Sequence, residues 1–259
     1  MRLLVLDVGN THTTIAVFRE RAIEKRFRIT TAHARTGDEL GVLLRGLCES
    51  AGIKPEELGG VIVGSVVPPV DAALAAAVTG YLHLEPLFVV PDMNSGMPLM
   101  VDTPHELGAD RLCNAVAAFA EHGGPCVVVD FGTATTWEVV SAKGEFLGGV
   151  IAPGLEISAE ALFARAAKLP RIELVPPARV IGKGTVDSMQ TGLMLGQADL
   201  VAGVTRRVLA ELGGPGAVVA TGGLAPVLAP HAGVFTAVDL DLTLKGLRLL
   251  WERNRPTRL

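Results

Sequence analysis

Residues 3–17 read LLVLDVGNTHTTIAV, and residues 126–140 read CVVVDFGTATTWEVV. In each, an apolar run ends in an aspartate, Asp7 or Asp130. One residue follows, then a glycine (Gly9 or Gly132), then small hydroxyl residues and a second apolar run. Thr11, Thr13 and Thr14 answer to Thr133, Thr135 and Thr136, though not residue for residue. Each copy predicts a β-hairpin, two strands joined by a tight glycine-containing turn. Glycine lets the backbone approach a ligand closely. Successive backbone N–H groups and threonine hydroxyls at such a turn can bond phosphate oxygens. A carboxylate at the strand end repels phosphate unless a cation lies between them, as Mg2+ does when it bridges carboxylate and nucleotide. A single copy could equally be an ordinary turn stabilised by Asp and Thr. Two copies, one near the start of each half, point to a duplicated fold with two phosphate loops serving one nucleotide.

Working outward from the hairpins, the first half (1–116) reads as a third strand near 22–30, a helix near 36–51 and a strand at 60–65. A helix at 69–80 and a strand at 86–90 follow. The second half (117–259) repeats the theme. Strands are expected at 126–130, 135–141 and 145–150, helical segments at 155–168 and 185–212, a strand at 217–220 and a terminal helix near 241–253. The active site is expected in a central cleft between the halves.

Composition narrows the function. The formal net charge is −4 and no dense Lys/Arg run occurs, which argues against nucleic acid as the main partner. Cys48, Cys113 and Cys126 follow no metal or disulfide spacing and read as reduced core thiols. The apolar run from Leu3 to Leu6 is cut by Asp7, so the N-terminus does not read as a signal peptide. No fixed charge lies between Glu211 and Asp239, but glycines and prolines punctuate that stretch. It reads as strand, turn and short helix buried in protein, not as a membrane span. A cytoplasmic protein without membrane attachment is expected. No G-x-x-x-x-G-K-[ST], no G-x-G-x-x-G opening a helix and no H-E-x-x-H is present, which removes P-loop, dinucleotide and zinc-protease readings.

Residues 103–111 read TPHELGADR. Thr103, Pro104 and Glu106 suggest a capping box for a helix that runs to Gly123-Gly124. Gly108 inside that helix would be unfavourable by about 1 kcal/mol relative to Ala, which asks for a reason such as close approach to a ligand. Asp110 and Arg111 read either as a charged first turn or as a base beside an anion-holding arginine. Spacing leaves the two readings open.

DVGNTHTT (7–14), PHELGADR (104–111), DFGTATT (130–136), GGVIAPG (148–154), GKGTVDSMQTG (182–192) and ATGGLA (220–225) together resemble the motif set of the type III pantothenate kinases, in order and over nearly the whole chain. The resemblance implies a duplicated ribonuclease-H-like α/β fold of the actin-like ATPase class, in a homodimer. It also implies transfer of the ATP γ-phosphoryl group to the 4′-hydroxyl of pantothenate, the first step toward coenzyme A. On this likeness Asp7, Val8, Gly9, Asn10, Thr11, His12, Thr13 and Thr14 form the first phosphate loop, with Asp7 reaching Mg2+ through water. Asp130 helps bind a monovalent cation, K+ or NH4+. Thr133 contacts ATP, and Gly222 and Gly223 lie against adenosine. Gly108, Ala109, Asp110 and Arg111 line the pantothenate pocket, with Asp110 as proton acceptor, and Thr185 matches a substrate-loop threonine. Val101 stands where many members carry a substrate-contacting tyrosine, so one polar contact is missing. The alternatives are a superfamily kinase for another small acid or sugar, and a non-catalytic regulator on the same fold.

Overall fold

The computed structural model describes residues 2–255. These fall into two compact units. One contains the chain up to Met97, Asp102–Ala117 and the chain from Thr243 onward; the other contains Pro98–Val101 and Ala118–Leu242.

The sheet of the first unit is built from β1 (Arg2–Val8), β2 (His12–Arg19), β3 (Ala22–Thr30), β4 (Leu58–Ser65) and β5 (Pro86–Phe88), in the order β3-β2-β1-β4-β5. The first three form an antiparallel meander; β4 then runs parallel to β1, and β5 parallel to β4. Helices α1 (Gly37–Ser50) and α2 (Pro68–Leu82) cover one face. Leu4, Leu6, Val8, Ile15 and Val17 pack there with Leu40, Leu44, Leu74 and Val78, all buried. Thr36 caps α1 reciprocally with Glu39, which fixes where that helix starts.

The second unit repeats the pattern with β6 (Cys126–Phe131), β7 (Ala134–Val140), β8 (Phe146–Pro153), β9 (Ala217–Thr221) and β10 (Ala237–Val238), ordered β8-β7-β6-β9-β10. The strand directions match those of the first sheet. Its core gathers Val127, Val129, Phe131 and Trp137 with Met194, Val201 and Leu228. Two five-stranded sheets of identical order and direction make this the duplicated ribonuclease-H-like fold.

Several elements depart from the sequence expectation. Pro104–Glu106 forms a separate 3-10 turn, and helix α3 starts only at Ala109 and runs to His122. Thr103 Oγ1 donates to the Glu106 carboxylate at 2.9 Å and caps no backbone group, so the capping-box pattern marks this turn and not the helix. Gly108 therefore precedes α3 instead of interrupting it. Helix α4 (Leu155–Arg165) ends three residues earlier than expected. The long helix expected over 185–212 is three segments: α5 (Thr185–Gln190), a π-helical stretch at Thr191–Leu195 and α6 (Gly196–Glu211). The short helix read into 211–239 is α7 (Ala225–Ala232).

The largest departure is at the C-terminal end. The sequence division at 116/117 places the last helix with the second half, yet α8 (Leu242–Asn254) packs within the first unit. A side chain at Gly60 on β4 would start 2.0 Å from the Trp251 ring, and one at Gly246 would start 2.1 Å from the Cys113 carbonyl oxygen. These glycines let α8 settle directly on β4 and α3. Among the described residues, no helix is long and apolar enough to cross a membrane.

Candidate active site

The β1–β2 turn closes with the Gly9 amide donating to the His12 carbonyl at 3.1 Å. The β6–β7 turn closes with Gly132 donating to Ala134 at 3.0 Å, one residue shorter. Strand pairing then settles which threonines correspond. Asp7 stands opposite Thr14 and Val8 opposite Thr13; Asp130 stands opposite Thr136 and Phe131 opposite Thr135. Thr13 therefore matches Thr135, and Thr14 matches Thr136. Both inner hydroxyls are buried and paired: Thr13 with Thr31 at 2.8 Å, and Thr135 with the Gln197 amide at 2.9 Å. The residues left at the loop tips to meet a ligand are Asn10, Thr11 and His12 in one copy and Thr133 in the other, all exposed.

In the first unit, Asp7 and Asp110 come to one place. Across the sheet, Asp7 pairs with Gly64 on β4. A side chain at Gly64 would start 3.0 Å from the Leu247 side chain and in ordinary contact, 3.7 Å, with the Ala109 Cβ, so the start of α3 lies against β4 at the residue opposite Asp7. Cys113, fully buried one turn further along α3, has its thiol pushed well up by burial and by the nearby negative charges of Asp7 and Asp110. Burial also raises the Asp110 carboxyl, while the Arg111 backbone N–H, donating at 2.8 Å, and the Arg111 charge hold it down in part. A carboxyl whose burial favours its proton is poised to take one from a hydroxyl.

Gly108 has a specific reason. A Cβ there would sit 2.5 Å from Asp110 Oδ1, so the carboxylate occupies the space a side chain would fill. The sequence suggested a reason such as ligand approach for this glycine; in the structure it makes room for the Asp110 carboxylate. Reading the sequence passed over the support behind α3. Asn114 is fully buried four residues after Asp110, and its side-chain carbonyl accepts from Thr243 Oγ1 on α8 at 2.7 Å. The only local signal was the (i, i+4) spacing of Asp110 and Asn114, which puts them on one helix face.

In the second unit, Asp130 Oδ1 lies 2.4 Å from where a Gly222 side chain would begin, and Gly222 has φ +89°. Gly222 must be glycine on both counts. Gly154, closing the GGVIAPG segment, approaches the Thr133 and Gly132 carbonyls so closely that a Cβ would overlap them, and its amide donates to Thr133 at 3.2 Å. The second loop is thus braced from β8. Gly223 is exposed after β9, Thr185 is the exposed first residue of α5, and Val101 is half-buried beside Gly148.

The sequence profile of the type III pantothenate kinases matches residues 3–207. This chain belongs to that family. It is 51% identical over 253 residues to a type III pantothenate kinase of Anaeromyxobacter dehalogenans, covering 98% of this chain and 100% of that one. It is 48% identical to one of Myxococcus xanthus, with 97% and 98% covered. Among solved structures, a Campylobacter jejuni protein assigned to the Baf transcriptional-activator family superposes with a TM-score of 0.61 at 18% identity, covering 96% of this chain and 97% of that one. A ROK hexokinase of Thermus thermophilus superposes at 0.52 and 14% identity, with the same coverage. These likenesses show the shared fold; membership of the type III pantothenate kinase family rests on the sequence matches.

Proposed function

We propose that this chain transfers the γ-phosphoryl group of ATP to the 4′-hydroxyl of pantothenate, forming 4′-phosphopantothenate for coenzyme A synthesis. The observation that supports this reading is the contact between β4 and the start of α3: Gly64, the residue opposite Asp7, lies within contact range of Ala109, the neighbour of the candidate base Asp110. Phosphoryl transfer asks a protein chiefly to position reactants and neutralise charge. Asp110 would orient the attacking hydroxyl and accept its proton, with Gly108, Ala109 and Arg111 around the substrate and the Arg111 guanidinium facing its carboxylate. On the family likeness, Val101 and Thr185, both in the second unit, are further substrate-contact positions.

The backbone and side chains of residues 7–14 would take phosphate oxygens. A single half-buried carboxylate such as Asp7 suits Mg2+, which keeps several waters and is shared with substrate phosphates. When bound, Mg2+ would neutralise charge on the triphosphate. In the second unit, Thr133 would contact ATP and the Gly222-Gly223 turn would accept adenosine. The Asp130 carboxylate, with peptide backbone packed close against it, offers oxygens to a monovalent cation, K+ or NH4+.

A cytoplasmic homodimer is part of the same proposal. Only Leu155 of α4 is buried, while Leu147 and Ile151 on β8 and Ile157, Leu162 and Phe163 on α4 are exposed. An apolar surface of this kind suits a second copy.

The test is ADP release by the purified protein with ATP, Mg2+ and pantothenate, with and without K+ or NH4+. Turnover that requires pantothenate and collapses on chelation of Mg2+ supports the reading. ADP release with another hydroxylated acid or sugar, and not with pantothenate, replaces the substrate. ATP binding without turnover on any of them favours a regulator.

A further inference from the structure

Four residues form one row across the first sheet. Gly64 on β4 pairs with Asp7 on β1, Asp7 with Thr14 on β2, and Thr14 with Arg28 on β3. Directly opposed residues on neighbouring strands present their side chains to the same face. Arg28 therefore shares the face of Asp7, two strands or about 10 Å away. That is the side opposite the apolar cluster, to which Phe27 and Ile29 turn. Arg28 is exposed, and its Nη2 lies 2.9 Å from Nδ1 of His12 at the tip of the first loop.

The chemistry of this contact is directional. A guanidinium has only donors, so Arg28 donates and His12 Nδ1 accepts. A neutral imidazole accepting at Nδ1 carries its hydrogen on Nε2, which makes Nε2 a donor. Arg28 thus fixes the ring as a second hydrogen-bond donor while keeping further N–H groups of its own. A planar cation and an oriented N–H, both beside a phosphate loop, suit the oxygens of a polyphosphate.

We infer that Arg28 and His12 form a clamp for the triphosphate of ATP, with Arg28 a phosphate-binding residue supplied by β3, outside the loop motif. The inference rests on the kinase reading above and adds a residue to it. Arg28 neutralises charge on the bound phosphates, and His12 donates through Nε2 to a phosphate oxygen.

The experiment measures binding of MgATP and of adenosine, together with pantothenate-dependent turnover, for the unmodified chain and for Arg28→Ala, Arg28→Lys, His12→Ala and the double variant. Loss of a charged hydrogen bond corresponds to roughly 10- to 100-fold. Arg28→Ala is expected to weaken MgATP by that factor and leave adenosine within about twofold, with Arg28→Lys recovering part of the loss. Because Arg28 orients His12, the double variant should lose less than the product of the two single losses. Lys25→Ala, on the opposite face of β3, serves as the unchanged control.

Unaltered MgATP affinity in Arg28→Ala, in a chain that turns over pantothenate, overturns the clamp while leaving the kinase reading intact. Equal loss of adenosine and MgATP binding also overturns it, since that is the signature of a distorted fold. An unmodified chain that binds MgATP without phosphorylating pantothenate defeats the kinase reading instead.

Discussion

The Oδ1 atom of Asp110 lies 2.5 Å from the point where a side chain on Gly108 would begin. The glycine and the carboxylate are thus one device, and the first prediction concerns the glycine. Gly108→Ala should displace the Asp110 carboxylate, which can swing away at little cost to the fold. The expected result is a fall in kcat of at least about tenfold with a near-normal melting temperature, as positional errors in a base are felt mainly in the chemical step. Steady-state kinetics beside thermal unfolding checks this. Unchanged kcat in a folded variant would remove Asp110 from the chemistry.

Asp110→Asn should lower kcat by about 10²- to 10⁴-fold, the usual contribution of a general base. Its stability should move the other way. Burial holds the Asp110 carboxyl above its ordinary value, so the folded chain binds this proton more tightly than the unfolded chain does. The group therefore costs stability increasingly as pH rises from the unfolded value of about 3.9 through the raised folded value, and the cost persists at neutral pH. Asn removes the buried charge, so Tm at pH 7 should equal or exceed that of the unmodified chain. A clear drop in Tm would show that the carboxylate is stabilised by partners that outweigh its burial.

The same shift gives a pH profile. Activity that depends on ionised Asp110 should fall as pH drops through its raised value, with the acidic limb lying above that of an ordinary aspartate. This is read from kcat against pH at saturating ATP and pantothenate. An acidic limb absent down to ordinary carboxylate values would assign the base elsewhere.

Gly222→Ala combines a φ of +89° with a Cβ 2.4 Å from Asp130 Oδ1 and 2.6 Å from the Phe131 amide nitrogen. Backbone cannot step aside as a side-chain tip can. A loss of about 1–3 kcal/mol in stability is expected from the dihedral alone. In whatever fraction folds, the monovalent-cation concentration for half-maximal activity should rise. Titration of turnover with K+ tests this, and an unshifted K+ dependence would separate Asp130 from the cation.

All three cysteines are buried, with the Cys48 thiol pushed up to about 11 and Cys126 to about 12, chiefly by burial. Such thiols stay protonated and unreactive at neutral pH. Thiol reagents should label the native chain far more slowly than the denatured chain, and activity should survive. Fast native labelling would mean that a unit opens locally.

Much of this protein is written locally. The two Asp-x-Gly hairpins, their flanking strands and the helices over 37–50 and 68–82 follow from alternation, capping and turn residues within short windows of sequence. The duplication was legible because it repeats a pattern, and the order of the motifs carried the family. What the sequence left undecided are contacts between residues far apart in the chain. Which threonines correspond depended on strand pairing, because one loop is a residue shorter than the other. Why Gly108 is glycine depended on where the Asp110 side chain turns. That α8 belongs with the first unit depended on Gly60 and Gly246, whose missing side chains admit Trp251 and the α3 backbone. Periodicity reports which face of a helix is apolar, but it carries no address for the surface that the face will meet. That address is set by complementary shape across 100 or more residues, and only the folded chain brings those surfaces together.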